Sequence, residues 1–174
     1  MPVIHRAPIP SDALLQAYST GAGYADCFFS EVGSGASLAS FIEAFYTTPL
    51  FKVERLLLGV FASRPATDAD ARELAQGTTE KFSAWKVEGR DTSQLLLADF
   101  TGRTRSWLMV EPILNETNGK TGTRLYFGSA VVARKDKNTG KETVGVGFHT
   151  LLGFHKLYSR LLLRSALARL SSGQ

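Results

Sequence analysis

The residues of this chain able to do chemistry are few and scattered. Three histidines are present, His5, His149 and His155. His5 lies among prolines, and His149 and His155 stand six residues apart, about 240° round a helix, so the two cannot face one ion. A metal site is therefore not expected. Cys27 is the single cysteine. Without a base placed beside it, it reads as a small buried hydrophobe rather than a nucleophile, and no intramolecular disulfide is possible. Gly33-Ser34-Gly35 precedes a helix but lacks the lysine of a P-loop and the dinucleotide fingerprint, so it reads as a turn. No Gly-x-Ser-x-Gly elbow marks a serine hydrolase. Asp99 with Arg103 and Arg105 flanks a two-residue turn, which suits either a cross-strand ion pair or a polar cluster at the mouth of a cavity. Trp85, Trp107, Tyr126 and Tyr158 are large amphipathic groups that can line an apolar pocket while their polar edges orient a ligand, or simply pack in a core. No catalytic constellation emerges, and no cofactor is expected.

Composition excludes several classes. Lysine and arginine outnumber acids 20 to 16 in 174 residues, giving a pI of about 9.3. The excess is dispersed, and its densest run, 134–141, surrounds Asn138-Thr139-Gly140 and reads as a solvated hairpin tip. Aromatics do not alternate with a basic stripe, so nucleic acid is not expected as a partner. No segment reaches the roughly 18 apolar residues of a membrane span. The first ten residues lack a signal-like apolar run, so the expected location is the cytoplasm. The length suits one domain, 1–174, with 1–20 as a partly extended N-terminal segment.

The elements that must position these groups follow from periodicity. Ser11 is a candidate cap for a short helix over 12–18. The aromatic run 24–31 suits a strand. Ser37 caps a helix whose Leu38, Phe41, Ile42 and Phe45 form one face, and Thr48 with Pro49 starts a second helix carrying Leu50, Val53, Leu57 and Val60. Thr67 and Gly77 bracket a short acidic helix that reads as a surface connection. Strands are predicted over 80–88, 94–100, 103–111 and 122–134, with turn chemistry between them, and a fifth short one over 142–146. Alternation on 103–111 places Arg105, Trp107 and Met109 on one face and Ser106, Leu108 and Val110 on the other. Both faces carry apolar groups, which suits a sheet partly covered on its convex side, for example by a dimer partner. The last element is a helix over 148–170, with Lys156, Arg160 and Arg164 on its wet side and Leu151, Phe154, Tyr158, Leu161 and Leu162 opposite, and His155 at the rim of that apolar face.

This order of elements, α+β with two short helices between the first and second strands and a curved antiparallel sheet wrapped around a long C-terminal helix, resembles the helix-grip fold of the START-like (SRPBCC) superfamily. Three local pieces sharpen the resemblance toward the DUF2867 family: Tyr24-Ala25-Asp26-Cys27-Phe28, the hairpin LLLADFTGRTRSW at 95–107, and Phe154-His155-Lys156-Leu157-Tyr158 followed by 161–164. Gly153 departs from the family's proline, and the hairpin lacks its His-Leu-x-Phe-Arg pattern, keeping an aromatic at Trp107. The resemblance implies a cavity between sheet and last helix holding a small hydrophobic ligand, with Trp85, Asp99, Arg105, Trp107, Tyr126, Phe154, His155 and Tyr158 as candidate contacts. It also implies association with a reductase-like partner enzyme, and it names no reaction. Two other expectations stand beside ligand binding: acid/base catalysis in the same cavity by His155, Asp99 or Arg105, and a non-catalytic domain that forms a homodimer or docks on an enzyme.

Overall fold

A computed structural model describes residues 3–33, 35–52, 66–114, 121–135, 142–144 and 146–172, without the side chains of 135, 142, 146–156 and 172. Seven antiparallel strands form one curved sheet: β1 (His5–Arg6), β2 (Tyr24–Gly33), β3 (Lys81–Phe82), β4 (Trp85–Arg90), β5 (Gln94–Asp99), β6 (Thr104–Leu114) and β7 (Thr121–Val131). Their spatial order is β1-β2-β7-β6-β5-β4-β3. The meander β3 to β7 thus pairs each strand with its sequence neighbour, and β7 closes against β2 from the far end of the chain. A separate two-stranded ribbon joins β8 (Arg134–Lys135) to β9 (Glu142–Thr143). The helices with described bounds are α1 (Leu38–Tyr46), α2 (Asp68–Gln76) and α3 (Val146–Ser172), with a 3-10 helix at Leu14–Tyr18; residues 49–52 are helical as well. The result is α+β and compatible with a helix grip.

The caps read from sequence at Ser37, Thr48, Thr67 and Gly77 are made. Ser37 Oγ accepts from the Ser40 amide and Ser40 Oγ accepts from the Ser37 amide, a reciprocal box that satisfies two donors of the first turn. Thr67 and Asp70 repeat it at α2, and Gly77 ends that helix with φ +75°, a conformation that favours glycine. Thr48 Oγ1 accepts from the Phe51 amide, starting the turn at Pro49. Residues 53–65, with Val53, Leu57 and Val60, lie outside the described residues, as do 136–141 at the expected basic tip.

Several expectations are corrected. The span 80–88 is not one strand: Ser83, at φ +53°, turns the chain sharply between Phe82 and Trp85, which face each other across a tight hairpin. The first short helix is a 3-10 turn starting at Leu14, with Ala13 at its cap position and no side-chain capping bond. Residue 134 belongs to the ribbon rather than to β7, and Val146 to α3 rather than to the last strand. The acidic helix α2 is no surface connection: Ala71 and Leu74 are fully buried in the main core beside Phe41 and Phe45 of α1. On α3 the buried stripe is Ser159, Leu162, Leu163, Ala166 and Leu167, while Leu161, expected inside, is 43% exposed.

Two cores result, one per face of the sheet. The inner face presents Phe28, Leu95, Leu97, Leu108, Leu125 and Phe127 to the three helices. The outer face packs Cys27, Leu96, Trp107, Met109 and Tyr126 under Ala13, Leu15 and their neighbours. The cover of the convex side is therefore this chain's own N-terminal segment. Gln94 clasps it: its Oε1 accepts from the Leu14 amide at 2.8 Å and from Trp107 Nε1 at 2.9 Å, and its Nε2 donates to the Asp12 carbonyl at 3.1 Å. Gly128 lets the cover lie this close, since a Cβ there would fall 2.6 Å from Leu15 Cδ2.

Candidate functional site

The register of the inner face sets a gradient of polarity along the strands. Leu95, Leu108, Phe127 and Phe28 align across four strands beneath the helices. Two residues on along the strands, Leu97, Ser106, Ser129 and Asp26 form the next row, and beyond it stand Thr104, Val131 and Tyr24. Trp85 faces Asp99 across β4 and β5 at this same end. Strand alternation alone brings these groups to one side.

Here the sheet and α3 part to leave a cavity of about 660 Å³, within the range of small-molecule sites. Its apolar walls come from Phe45 of α1, Phe51, Phe127 and Val131 of β7, and Leu162 of α3. Trp85, Tyr158 and Ser159 also line it, and Asp99, Thr101 and Arg103 stand at the hairpin joining β5 to β6.

Most polar groups around the cavity are already engaged. Tyr46 OH and Ser106 Oγ share a hydrogen bond of 3.1 Å, tying α1 to β6. The buried Asp26 carboxylate accepts from Ser129 Oγ at 2.7 Å and from Tyr24 OH at 2.8 Å; burial, then the Asp26 charge, raises the Tyr24 phenol above its ordinary pKa. Asp99 organises its turn. Its Oδ1 accepts from the Arg103 and Thr104 amides at 2.7 and 2.8 Å, and its Oδ2 accepts from the amide and hydroxyl of Thr101. Burial would raise this carboxyl, but the Thr101 hydroxyl and the backbone amides together outweigh it and hold the group below its usual value. The expected cross-strand pair between Asp99 and the arginines is absent among the described residues: Arg105 pairs with Glu88 at 2.8 Å, and Arg103 donates to the Val144 carbonyl at 3.2 Å.

Two donors are not engaged. Ser159 Oγ, on a residue 1% exposed, and Trp85 Nε1 are both buried without a hydrogen-bond partner among the described residues. Buried polar groups are nearly always paired, and a serine inside a helix usually has the carbonyl one turn back within reach.

The structure divides the eight sequence-predicted contacts. Trp85, Asp99 and Tyr158 line the cavity. Trp107 and Tyr126 lie on the outer face: Trp107 is fully buried there on Gln94, and Tyr126 OH donates to Glu111 Oε2 at 2.7 Å. Arg105 borders the cavity, yet its guanidinium serves the outer face, bonded to Glu88 and stacked 4.6 Å above the Tyr18 ring. The side chains of Phe154 and His155, and that of His149, lie outside the described residues. Sequence reasoning passed over Ser159, and it placed Arg103 in a possible polar cluster at a cavity mouth without counting it among the eight contacts. Ser159 carries a legible signal, a lone hydroxyl within the stripe 159, 162, 163, 166, 167.

Cys27 is buried on the outer face, and burial, then the Asp26 charge, pushes its thiol up to about 12. It is no nucleophile in the folded chain. Among the described residues no group of three or more metal-ligating side chains is present, and no helix is long and apolar enough to cross a membrane. No family model matches the chain, and no curated protein matches it significantly.

Proposed function

We propose that this protein binds a small, mostly apolar molecule carrying at least one hydrogen-bond acceptor, in the cavity between the inner sheet face and α3, and that it is a helix-grip domain of the START-like kind. The observation that carries the reading is a pair of buried donors without a described partner, Ser159 Oγ and Trp85 Nε1, in residues lining a largely apolar space of about 660 Å³. Each unmet donor costs about 1–3 kcal/mol. Neither atom is open to the space in this arrangement, so a ligand's acceptor relieves that cost once the donor side chain turns toward it, while the ligand's apolar body is shielded from water at roughly 25 cal/mol per Å². The Asp26 and Asp99 carboxylates and the Thr101, Ser106 and Ser129 hydroxyls hold structural bonds, which favours binding over acid/base work.

The test is titration of the full chain with the neutral dye Nile red, beside Leu162→Trp, which fills the cavity from α3. The expected result is saturable, blue-shifted dye fluorescence from the parent chain, displaced by small-molecule extracts, and its loss in the folded variant. Equal dye binding by both proteins would place the dye elsewhere and refute a cavity site.

A further inference from the structure

The mouth of the cavity adds a charge to this chemistry. Three charged residues line the cavity among those described, Asp99, Arg103 and Arg105. Asp99 is held by four donors of its own turn, and Arg105 is neutralised on the opposite face by Glu88. The half-buried Arg103 guanidinium has no carboxylate partner among the described residues; its one bond there goes to the neutral carbonyl of Val144. Arg134 is brought to the same corner, donating to the carbonyl of Thr101 at 2.6 Å, and it too meets no described carboxylate. Of the other described arginines, Arg72 meets Glu43 and Arg124 meets Glu31 and Glu111, while Arg90 donates to the Leu74 and Ala75 carbonyls and Arg160 lies over the Phe28 ring, all away from the cavity lining. Arg103 and Arg134, neither with a described carboxylate, thus stand together beside the apolar space. A guanidinium offers a planar fork of donors suited to carboxylate or phosphate oxygens, and next to an apolar wall it is less screened than in open water.

From this geometry we infer that the ligand is an amphipathic anion, whose apolar body lies over Phe127, Val131 and Leu162 and whose charged head sits at Arg103, with Arg134 beside it. The inference rests on the cavity being a binding site, and it adds the sign of the ligand's charge and the residue that reads it. Arg103 selects the head, whereas Leu162 and its neighbours accept any apolar body of suitable size. The positive corner also draws anions toward the mouth over a range set by the ionic strength, so the preference weakens with salt.

The experiment compares three probes of equal chain length, decanoate, 1-decanol and decylammonium, by calorimetric titration of the full chain at neutral pH. Decanoate is expected to bind about tenfold or more tightly than decanol, the worth of one charge-assisted contact, and decylammonium more weakly than either. Arg103→Gln is expected to abolish the difference between decanoate and decanol while leaving decanol affinity unchanged, which also shows that the variant is folded. Arg103→Lys keeps the charge and is expected to retain most of the preference. Equal affinity for decanoate and decanol in the parent chain, preference for decylammonium, or equal losses for both probes in Arg103→Gln would overturn the inference and leave the cavity reading standing. Binding of none of the three would remove both.

Discussion

Replacing Ser159 with alanine has opposite effects on stability and on binding, and both follow from one unmade hydrogen bond. The Ser159 hydroxyl is buried without a partner among the described residues. Removing such a group relieves a desolvation cost of about 1–3 kcal/mol, and alanine is a better helix former than serine by about half a kcal/mol. Against this stands the lost packing of one oxygen atom in a close-packed stripe, worth about 1 kcal/mol or less. The balance is a stabilisation of about 1–2 kcal/mol. With a urea m-value of about 2 kcal/mol/M for a domain of this size, the midpoint should rise by about 0.5–1 M. Acceptor-bearing ligands should lose about threefold to tenfold in affinity, since the site then offers one donor fewer. Urea titrations followed by tryptophan emission, with and without ligand, measure both. A Ser159→Ala chain that is less stable than the parent would refute the reasoning, because it would mean that the hydroxyl already has a bond to lose.

Other outcomes follow from the same contacts. Gly128→Ala should cost about 1–3 kcal/mol and loosen the N-terminal segment, because the new methyl meets Leu15, the Asp26 carbonyl and the Trp107 ring below 3.0 Å; limited proteolysis should then cut before Tyr24 faster than in the parent. Asp99 has a folded pKa below its unfolded value, so its contribution to stability is complete above the unfolded pKa near 3.8 and is lost as pH falls through the lower folded one. Asp99→Asn should flatten that part of the acid-unfolding curve and leave neutral-pH titrations with decanol unaltered. Cys27, with its thiol raised to about 12, should ignore a disulfide reagent at pH 8 in the folded chain and react at once in denaturant; prompt reaction of the native protein would contradict its burial.

Local signals carried far in this chain. Ser37, Thr48, Thr67 and Gly77 mark helix ends by chemistry confined to a few neighbouring residues, so each is readable in isolation. The strand alternation of 103–111 is equally local, and it separates Ser106 and Leu108 from Arg105 and Trp107 as predicted. Which of those faces would meet the helices is set by pairing between β2 and β7, some hundred residues apart in sequence, and no local pattern reports it. That is why Trp107 and Tyr126 resembled pocket residues and prove to belong to the outer core. The hairpin at Ser83 was hidden for a related reason: a non-glycine residue at positive φ leaves no compositional mark. Leu161 misleads because a helix with apolar residues on more than one side does not declare which side is buried.

The bond between Tyr46 and Ser106 spans the space from helix to sheet, and the aromatic rings of Phe45, Tyr46, Phe51 and Phe82 brace one another around it. Such a strut fixes the separation of roof and floor as the chain folds. A guest entering a space of preset height then costs the host little further freedom. Association should accordingly be quick, with guests distinguished by how long they stay.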